Sequence, residues 1–278
     1  MPVIAMTHEM GSLARDVALE LAARLGLKSL QHEVGDHIAE RLHVPKSLIR
    51  RLREGKAGFL EKLRTDEDAE AVVTAEEVLT LASQGNAVIR GWGATCLLRP
   101  VPHIPCVRVT RTVENRVRWL MENVDLDDAD AALHEIRRSD SAHAARMHER
   151  FGVSWGDPTL YDLTLNTDRL TIESCVEQVL HLLSRPEFQE TPESRAKLAN
   201  MTLEAHVRAA LRNDGATRDV RVTIEADGSR IILRGIVVSQ AERDATERVV
   251  RSVPQVAGID DELKLMTRSK MFPSSKYS

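Results

Sequence analysis

Aromatic residues are scarce in this chain. Phe, Tyr and Trp together make up 3% of its 278 residues. Proteins that bind single-stranded nucleic acid stack bases on aromatic side chains, and few are available here. The formal net charge of -4 gives no overall attraction to a polyanion, so any anion-binding site must be local. The composition therefore argues against a nucleic-acid-binding protein.

Cysteine and long apolar runs are also lacking. The three cysteines, Cys96, Cys106 and Cys175, form no C-x-x-C pair, which favours reduced thiols and a cytoplasmic location. No stretch approaches 18 consecutive apolar residues, so no transmembrane segment is predicted. The first residues lack the basic and apolar regions of a signal peptide. With 42% hydrophobic and 29% charged residues, the chain is typical of a soluble globular protein.

The N-terminal part of the chain has the layout of a phosphate-binding loop. An apolar strand pattern at residues 3–6 runs through a turn into a helical pattern at residues 16–25. A helix N-terminus at such a turn offers unpaired N–H groups and a positive dipole end to a phosphate. We therefore expect an anion site near residue 11.

The loop departs from the Walker A signature G-x-x-x-x-G-K-[ST]. Gly11 and Ser12 remain, but Leu13 and Ala14 stand where small, flexible residues are expected. Side chains at these positions hinder close approach of the backbone to a phosphate. Ser12 is the one loop hydroxyl available to Mg²⁺, and it is equally well interpreted as a helix cap.

Strand and helix patterns alternate along residues 1–185. This alternation predicts an α/β fold, a mostly parallel sheet with helices on both faces. The tract at residues 127–150 is compatible with one helix or with two. The predicted strands are residues 3–6, 87–90, 104–110 and 161–166, and the later helices are residues 66–84, 112–122, 127–150 and 172–183.

A second, smaller α+β domain is predicted at residues 201–266. Residues 186–200 are polar, contain two prolines and are interpreted as a linker that is helical in part. The following order is helix, strand, strand, helix, strand, with a hairpin turn at Asp227-Gly228. Residues 267–278 have no pattern and are predicted to be a flexible tail.

Several motifs in residues 1–185 resemble the cytidylate kinase-like branch of the P-loop nucleoside monophosphate kinases. That branch opens with I-S-R-E-[YF]-G-S-G-G-R, and residues 6–15 read M-T-H-E-M-G-S-L-A-R. Residues 107–116 resemble its V-R-V-x-A-P-L-E-x-R motif, and residues 151–167 resemble its closing segment. Trp92 and His143 stand where the branch has arginines, as Leu13 and Ala14 stand where it has glycines.

The resemblance implies a P-loop kinase-like fold that uses ATP and Mg²⁺ and a CMP-like acceptor. Phosphoryl transfer needs cations on the moving charge, and arginines suit this role. Arg15 would replace the missing loop Lys, and Arg116 would face a phosphate. Arg146 would take over from the lid arginine lost at His143. The candidate catalytic residues are Arg15, Arg116 and Arg146, and the candidate nucleotide-binding residues are Gly11, Ser12, Arg15, Arg138 and Asp140.

Each of these residues also has a purely structural interpretation. Arg137, Arg138 and Arg150 could lie on a solvated helix face, and Asp140 could cap a helix instead of holding a lid arginine. A basic stretch, Arg50-Arg51-Leu52-Arg53 with Lys56, could contact a nucleotide or an acidic partner, or could also be a solvated helix face. Trp92 is better interpreted as core or pocket wall than as a base-stacking group.

Residues 201–266 resemble a BON domain. The resemblance rests on the helix–hairpin–helix–strand order, on Gly235 in the second strand and on V-A-G-I at residues 256–259. It implies a small interaction module that binds a phospholipid or a small ligand.

Two functions follow from these observations. The first is a nucleotide-binding protein with a degenerate P-loop, weak or inactive as a kinase, joined to a BON module. The second is an active CMP-type kinase that uses ATP and Mg²⁺. Because several phosphate-binding positions are changed, we favour the first.

Overall fold

The computed structural model describes residues 2–58, 66–124 and 128–266, and divides the chain into two compact units, Met1–Thr202 and Leu203–Ser278. The first unit contains a five-stranded sheet in which every neighbouring pair of strands is parallel. The strand order is β2-β3-β1-β4-β5. The strands are β1 (Val3–His8), β2 (Lys28–Leu30), β3 (Ala87–Arg90), β4 (Cys106–Thr110) and β5 (Leu163–Asn166).

Both faces of the central strand are covered, as expected for a parallel sheet. Ile4 and Met6 pack in one cluster with residues of the first and eighth helices, and Val3 and Ala5, which alternate with them, are also buried. The predicted α/β class is therefore confirmed. The helices are α1 (Ala14–Leu25), α2 (His32–Arg41), α3 (Lys46–Arg53), α4 (Glu67–Gln84), α5 (Ala94–Leu97), α6 (Val113–Asn123), α7 (Ala129–Phe151), α8 (Ile172–Leu183) and α9 (Pro192–Asn213).

The helix α7 is one continuous helix, which settles the alternative of one helix or two; residue 127, where the predicted tract began, lies outside the described residues. Asp128 caps its N-terminus by accepting the N–H of Asp130, and Gly152, at φ 66°, ends it in a left-handed conformation. Asp140 is therefore a mid-helix residue and does not cap a helix.

Much of the predicted linker is helical. A 3₁₀ turn covers Pro186–Phe188, and α9 begins at Pro192, where the hydroxyl of Thr191 accepts the N–H of Ser194 at 3.1 Å. The division between the two units falls within α9, after Thr202. The domain boundaries predicted from the sequence, residues 1–185 and 201–266, remain a prediction.

The second unit has a three-stranded sheet in the order β6-β7-β8. The strands β6 (Val222–Asp227) and β7 (Arg230–Val237) form the predicted antiparallel hairpin, and β8 (Gly258–Leu265) runs parallel to β7. Helix α10 (Gln240–Ser252) packs on the sheet through Val249 and Val250. The predicted tail, residues 267–278, lies outside the described residues. None of the helices in the described ranges has the length and apolarity that a membrane crossing requires.

Candidate functional site

A five-residue loop joins β1 to α1 at the carboxyl edge of the parallel sheet. Gly11 and Leu13 both adopt left-handed conformations, with φ of 79° and 60°. Gly11 lies so close to α6 that a Cβ there would approach the carbonyl oxygen of Arg116 to 3.2 Å. Leu13 is the N-cap residue of α1 and forms no side-chain cap. The loop thus holds a leucine in a left-handed conformation that favours glycine, at a cost in backbone strain.

The loop and the first turn of α1 hold unused donors. Within the described chain, the N–H groups of Leu13, Ala14 and Arg15 donate to no acceptor. The Ser12 hydroxyl is buried and has no hydrogen-bond partner there either, so Ser12 is not the cap of α1. Unpaired N–H groups at a helix N-terminus fit a phosphate. A buried hydroxyl beside them fits a phosphate oxygen or a Mg²⁺ ion held by that phosphate.

Arg116 lies under this loop rather than in open solvent. Its side chain is 2% exposed and forms a bidentate ion pair with Asp140, at 2.7 and 2.9 Å. Its Nε donates to the carbonyl oxygen of Met10 at 2.7 Å. The structure therefore joins two predicted site residues, the buried Arg116 and the partly exposed Asp140, in one contact between α6 and α7 that supports the loop.

The carboxylate of Glu9, like the guanidinium of Arg116, has several partners within the protein. Its carboxylate accepts from the guanidinium of Arg108, the hydroxyl of Thr110 and the backbone N–H of Arg111, at 2.7, 2.7 and 3.2 Å. The guanidinium of Arg116 lies 3.7 Å from it. This carboxylate, which comes directly after β1, is neutralised by its own neighbours.

Arg90, the last residue of β3, differs from Arg116 and Glu9 in its lack of partners among the described residues. It is 7% exposed, its Nε has no hydrogen-bond partner, and it forms no ion pair within the described residues. Burial and the nearby charge of Arg15 lower the pKa of Arg90 to about 10, against a smaller opposing effect of Asp16 and Glu33. A buried, unpaired guanidinium is costly, which indicates a position kept for an anionic ligand.

Arg15 is exposed at the first turn of α1, with no hydrogen bond or ion pair in the described part of the chain. Its charge is one of the causes that lower the pKa of Arg90. Arg15 is thus the predicted site residue best placed to meet a phosphate at the unused N–H groups.

Arg53 and Trp92 form a third feature of this edge. The guanidinium of Arg53 stacks 4.4 Å from the centre of the Trp92 ring, and its side chain forms no ion pair among the described residues. The pKa of Arg53 is lowered to about 10 by burial, then by Arg146 and Arg90. The indole N–H of Trp92 donates to the carbonyl of Gln31 at 2.8 Å, so Trp92 is a wall of the site.

The other predicted arginines, Arg138 and Arg146, lie on α7 and are bound to groups of the protein itself. Arg146 donates to the carbonyls of Leu52 and Arg53 at 3.3 and 2.6 Å, and so holds the end of α3. Arg138 pairs with Glu135 on its own helix. The structure thus groups Gly11, Ser12 and Arg15 at the loop, while Arg138 and Arg146 act within the protein.

Sequence reasoning missed two residues of this edge, His8 and Arg90, and left Arg53 open. Their signal was position: His8 and Arg90 end adjacent parallel strands, whose carboxyl ends form the ligand edge of such sheets. Their lack of partners is visible only in the folded protein. Among the described residues, no group of three or more His, Cys, Asp and Glu side chains is arranged to hold a metal ion.

Comparison with known proteins agrees with this geometry. Residues 3–169 match the model of the cytidylate kinase-like family, and residues 200–267 match that of the BON domain. A cytidylate kinase of Pyrobaculum aerophilum is 24% identical over 178 residues, which are 63% of this chain and 89% of that protein.

A solved structure shows the same fold. An uncharacterized protein from Eubacterium ventriosum has a TM-score of 0.52 at 18% identity, over 66% of this chain and 100% of that one. A shikimate kinase from Bacteroides thetaiotaomicron has a TM-score of 0.43 at 17% identity, over 66% and 99%, too low a score to add to the assignment. The chain belongs to the cytidylate kinase-like family and carries a C-terminal BON domain.

Proposed function

We propose that the kinase-like unit binds the phosphates of a nucleotide at the β1–α1 loop and has weak or no phosphotransferase activity. The observation that carries this proposal is a set of donors around one helix N-terminus that have no acceptor among the described residues: the N–H groups of residues 13–15, the buried Ser12 hydroxyl and the guanidinium of Arg90. When ATP-Mg²⁺ is bound, the metal neutralises phosphate charge, and Ser12 is the loop side chain that would contact it.

We expect phosphoryl transfer to be weak because the other candidate arginines are already bound to groups of the protein. Transfer needs arginines that are free to follow the moving phosphoryl group. Arg116 is committed to Asp140 and Met10, and Arg146 to the end of α3. Leu13 keeps a side chain where the backbone must approach phosphate closely. These features support binding without efficient chemistry.

An active CMP-type kinase that uses ATP and Mg²⁺ is the second candidate. The observation in its favour is that Arg15, Arg53 and Arg90 have no ion-pair partners among the described residues and could supply the cations that Arg116 does not. In either case, reduced cysteines and a cytoplasmic location remain part of the proposal; Cys96, Cys106 and Cys175 are unbridged.

Calorimetric titration with ATP and Mg²⁺, then with CMP, followed by an ADP-release assay on the same sample, tests the proposal. We expect ATP to bind, and Arg15→Ala to weaken its binding about 10-fold, as expected for loss of one charge-assisted contact. Arg24→Ala, which removes an arginine from the last turn of the same helix, is the matched control. CMP-dependent turnover would select the active kinase, and absence of ATP binding would reject both.

The BON unit is proposed to bind a phospholipid or a small ligand. In support, large apolar side chains at the ends of β7 and β8 are exposed, among them Ile236 (61%), Val238 (64%) and Met266 (58%). Exposed apolar groups close together indicate a contact surface. Co-sedimentation with phospholipid vesicles tests this, with Ile236→Ser and Val238→Ser expected to reduce binding. Equal sedimentation of wild type and variants would reject these residues as the surface.

A further inference from the structure

Trp92 follows β3 at the carboxyl edge of the parallel sheet and adopts a left-handed conformation. Its φ is 59°, and its neighbours Gly91 and Gly93 also have positive φ, of 82° and 69°. A bulky residue is strained in this conformation, and strain of this kind concentrates at functional sites. The turn thus holds a large aromatic side chain where glycine would be more stable, and the contacts of that side chain must explain why.

The indole ring of Trp92 is held on three sides. The guanidinium of Arg53, at the end of α3, lies 4.4 Å from the centre of the ring. The indole N–H donates to the backbone carbonyl of Gln31 at 2.8 Å. The ring also lies against α2 at Gly35, where a Cβ would come within 2.8 Å of it. Trp92 is therefore only 9% exposed, although it stands at the edge where such sheets bind ligands.

These contacts are the ones by which proteins hold a nucleobase. Bases are stacked on arginine guanidinium planes and are hydrogen-bonded along their edges. A tryptophan that only filled the core would need neither contact. Arg53 forms no ion pair among the described residues, so the face of the ring is a partner for its charge. The indole thus occupies its place in the manner of a ligand.

Little space remains beside the ring. A cavity of about 30 Å³ adjoins Trp92 and is also lined by Arg53, Met147 and Phe151. It has room for about two water molecules and none for a nucleobase. The turn is tight on this side as well, because a Cβ on Gly93 would lie 2.6 Å from the ring of Phe151. A second ring can therefore enter only if the indole leaves.

We propose that Trp92 is an internal substitute for a ligand. Its indole occupies a binding position for a flat heteroaromatic ring with an N–H donor, such as a nucleobase, and keeps such a ring out. The residue stands where the related branch has an arginine, so this device is a property of this chain. The inference rests on the proposed function, because exclusion of a base-bearing second substrate gives a further reason for weak phosphoryl transfer.

Removal of the ring from the full chain tests the proposal. In Trp92→Gly the turn should keep its conformation, because glycine adopts φ 59° without strain. The probes are indole, cytidine and 1-methylindole, which lacks the N–H, and the readout is the shift in melting temperature that each probe causes. We expect indole and cytidine to stabilise Trp92→Gly but not the wild type. The loss of one hydrogen bond should make 1-methylindole bind about 5-fold more weakly than indole.

Gln255→Gly is the matched control. It removes another side chain from a left-handed residue, at φ 76° in the C-terminal unit, and should gain no affinity for any probe. If cytidine has no effect on Trp92→Gly, the vacated space is an ordinary core cavity, even if indole fills it, and the proposal is overturned. Equal stabilisation of the wild type and Trp92→Gly by cytidine overturns it as well, because the indole then excludes nothing. If Trp92→Gly folds only with a probe, recovery of its helical circular dichroism replaces the melting temperature.

Gly35→Ala tests the position of the ring with the indole in place. In the wild type the added Cβ would lie 2.8 Å from the ring, so the melting temperature should fall. In the Trp92→Gly background it should rise, because alanine favours a helix more than glycine does. A fall in both backgrounds would mean that the ring does not lie against α2, which would overturn the proposal.

Titration with ATP and Mg²⁺ separates this inference from the proposed function. If ATP binds but Trp92→Gly gains no affinity for cytidine, only the role of Trp92 is rejected. If Trp92→Gly gains affinity for cytidine but ATP does not bind, only the proposed nucleotide function is rejected. CMP-dependent turnover by the wild type would also reject the role of Trp92, since a second substrate would then enter past the indole.

Discussion

Three arginines of the C-terminal unit and three arginines at the carboxyl edge of the kinase-like sheet differ in whether they have carboxylate partners. In the C-terminal unit, Arg230, Arg234 and Arg243 pair with Asp260, with Glu225 and Glu262, and with Asp261. At the carboxyl edge of the kinase-like sheet, Arg15, Arg53 and Arg90 have none among the described residues. Paired arginines stabilise the protein that contains them, whereas unpaired, buried arginines are more stable with a ligand. The comparison supports the proposal that this edge of the sheet binds an anion, and it does so without any reference to motif.

Arg116 shows that the distinction also holds within one unit. It is as buried as Arg90 but is fully paired, through Asp140 and the carbonyl of Met10. We therefore expect substitutions at Arg116 or Asp140 to affect mainly stability, and substitutions at Arg90 to affect mainly binding.

The largest expected effect is that of Asp140→Ala. It leaves the buried guanidinium of Arg116 without its bidentate partner, although the Glu9 carboxylate stays 3.7 Å away. Because Asp140 is 30% exposed, we expect a cost of about 1.5–3 kcal/mol, as for hydrogen bonds to a charged group. Urea denaturation measures the free energy of unfolding. Glu20→Ala, which breaks the exposed pair between Arg24 and Glu20, is the control and should cost less than about 1 kcal/mol. Equal losses in the two variants would show that the Arg116 pair is not buried in solution.

Arg90→Met is expected to act in the opposite direction on stability. In buffer without phosphate or sulfate it removes a buried, unpaired charge, so the free energy of unfolding should rise, by about 1–2 kcal/mol. Affinity for ATP should fall at the same time, about 10-fold or more, because a guanidinium–phosphate contact is lost. A less stable variant with normal ATP affinity would mean that Arg90 has a structural partner instead of a ligand.

Leu13→Gly tests the strained loop. Glycine adopts φ 60° without steric cost, so we expect the free energy of unfolding to rise by about 0.5–1 kcal/mol, after the entropy cost of glycine is subtracted. The same change at Leu19, which is 47% exposed in the middle of α1, should cost about 1 kcal/mol. If both variants lose stability equally, the left-handed conformation of Leu13 carries no strain.

Arg234→Ala is expected to have the smallest effect. Its two carboxylate partners, Glu225 and Glu262, are about half exposed, and exposed pairs contribute little to stability. ATP affinity should equal that of the wild type, and the change in unfolding free energy should be the smallest of this series. A loss of ATP affinity here would remove the contrast between paired and unpaired arginines.

Much of the fold could be predicted from the sequence. The apolar run at the start of β1 and the long helices α4 and α7 have strong periodic patterns. The strand β2 was missed because its three residues include only one that is buried, too few for any period to show. Helix α9 starts earlier than its apolar face suggested, because Thr191 and Pro192 begin it within a polar stretch.

The site was predicted less well than the fold. The motif located the loop and Arg15, but it could not show that Arg116 is tied to Asp140, 24 residues further along and on another helix. The motif also could not identify Arg90, which in the sequence is a polar residue at the end of a strand. What distinguishes Arg90 is that no ion-pair partner lies near it among the residues that the structure describes, a property of the folded arrangement that no local pattern encodes.

A crystal structure with a non-hydrolysable ATP analogue and Mg²⁺ tests the central claim most directly. We expect a phosphate oxygen within hydrogen-bond distance of the N–H groups of residues 13–15 and of the guanidinium of Arg90, with Arg116 still paired to Asp140. A nucleotide bound elsewhere, or Arg90 paired with a carboxylate of the protein while the loop stays empty, would contradict it.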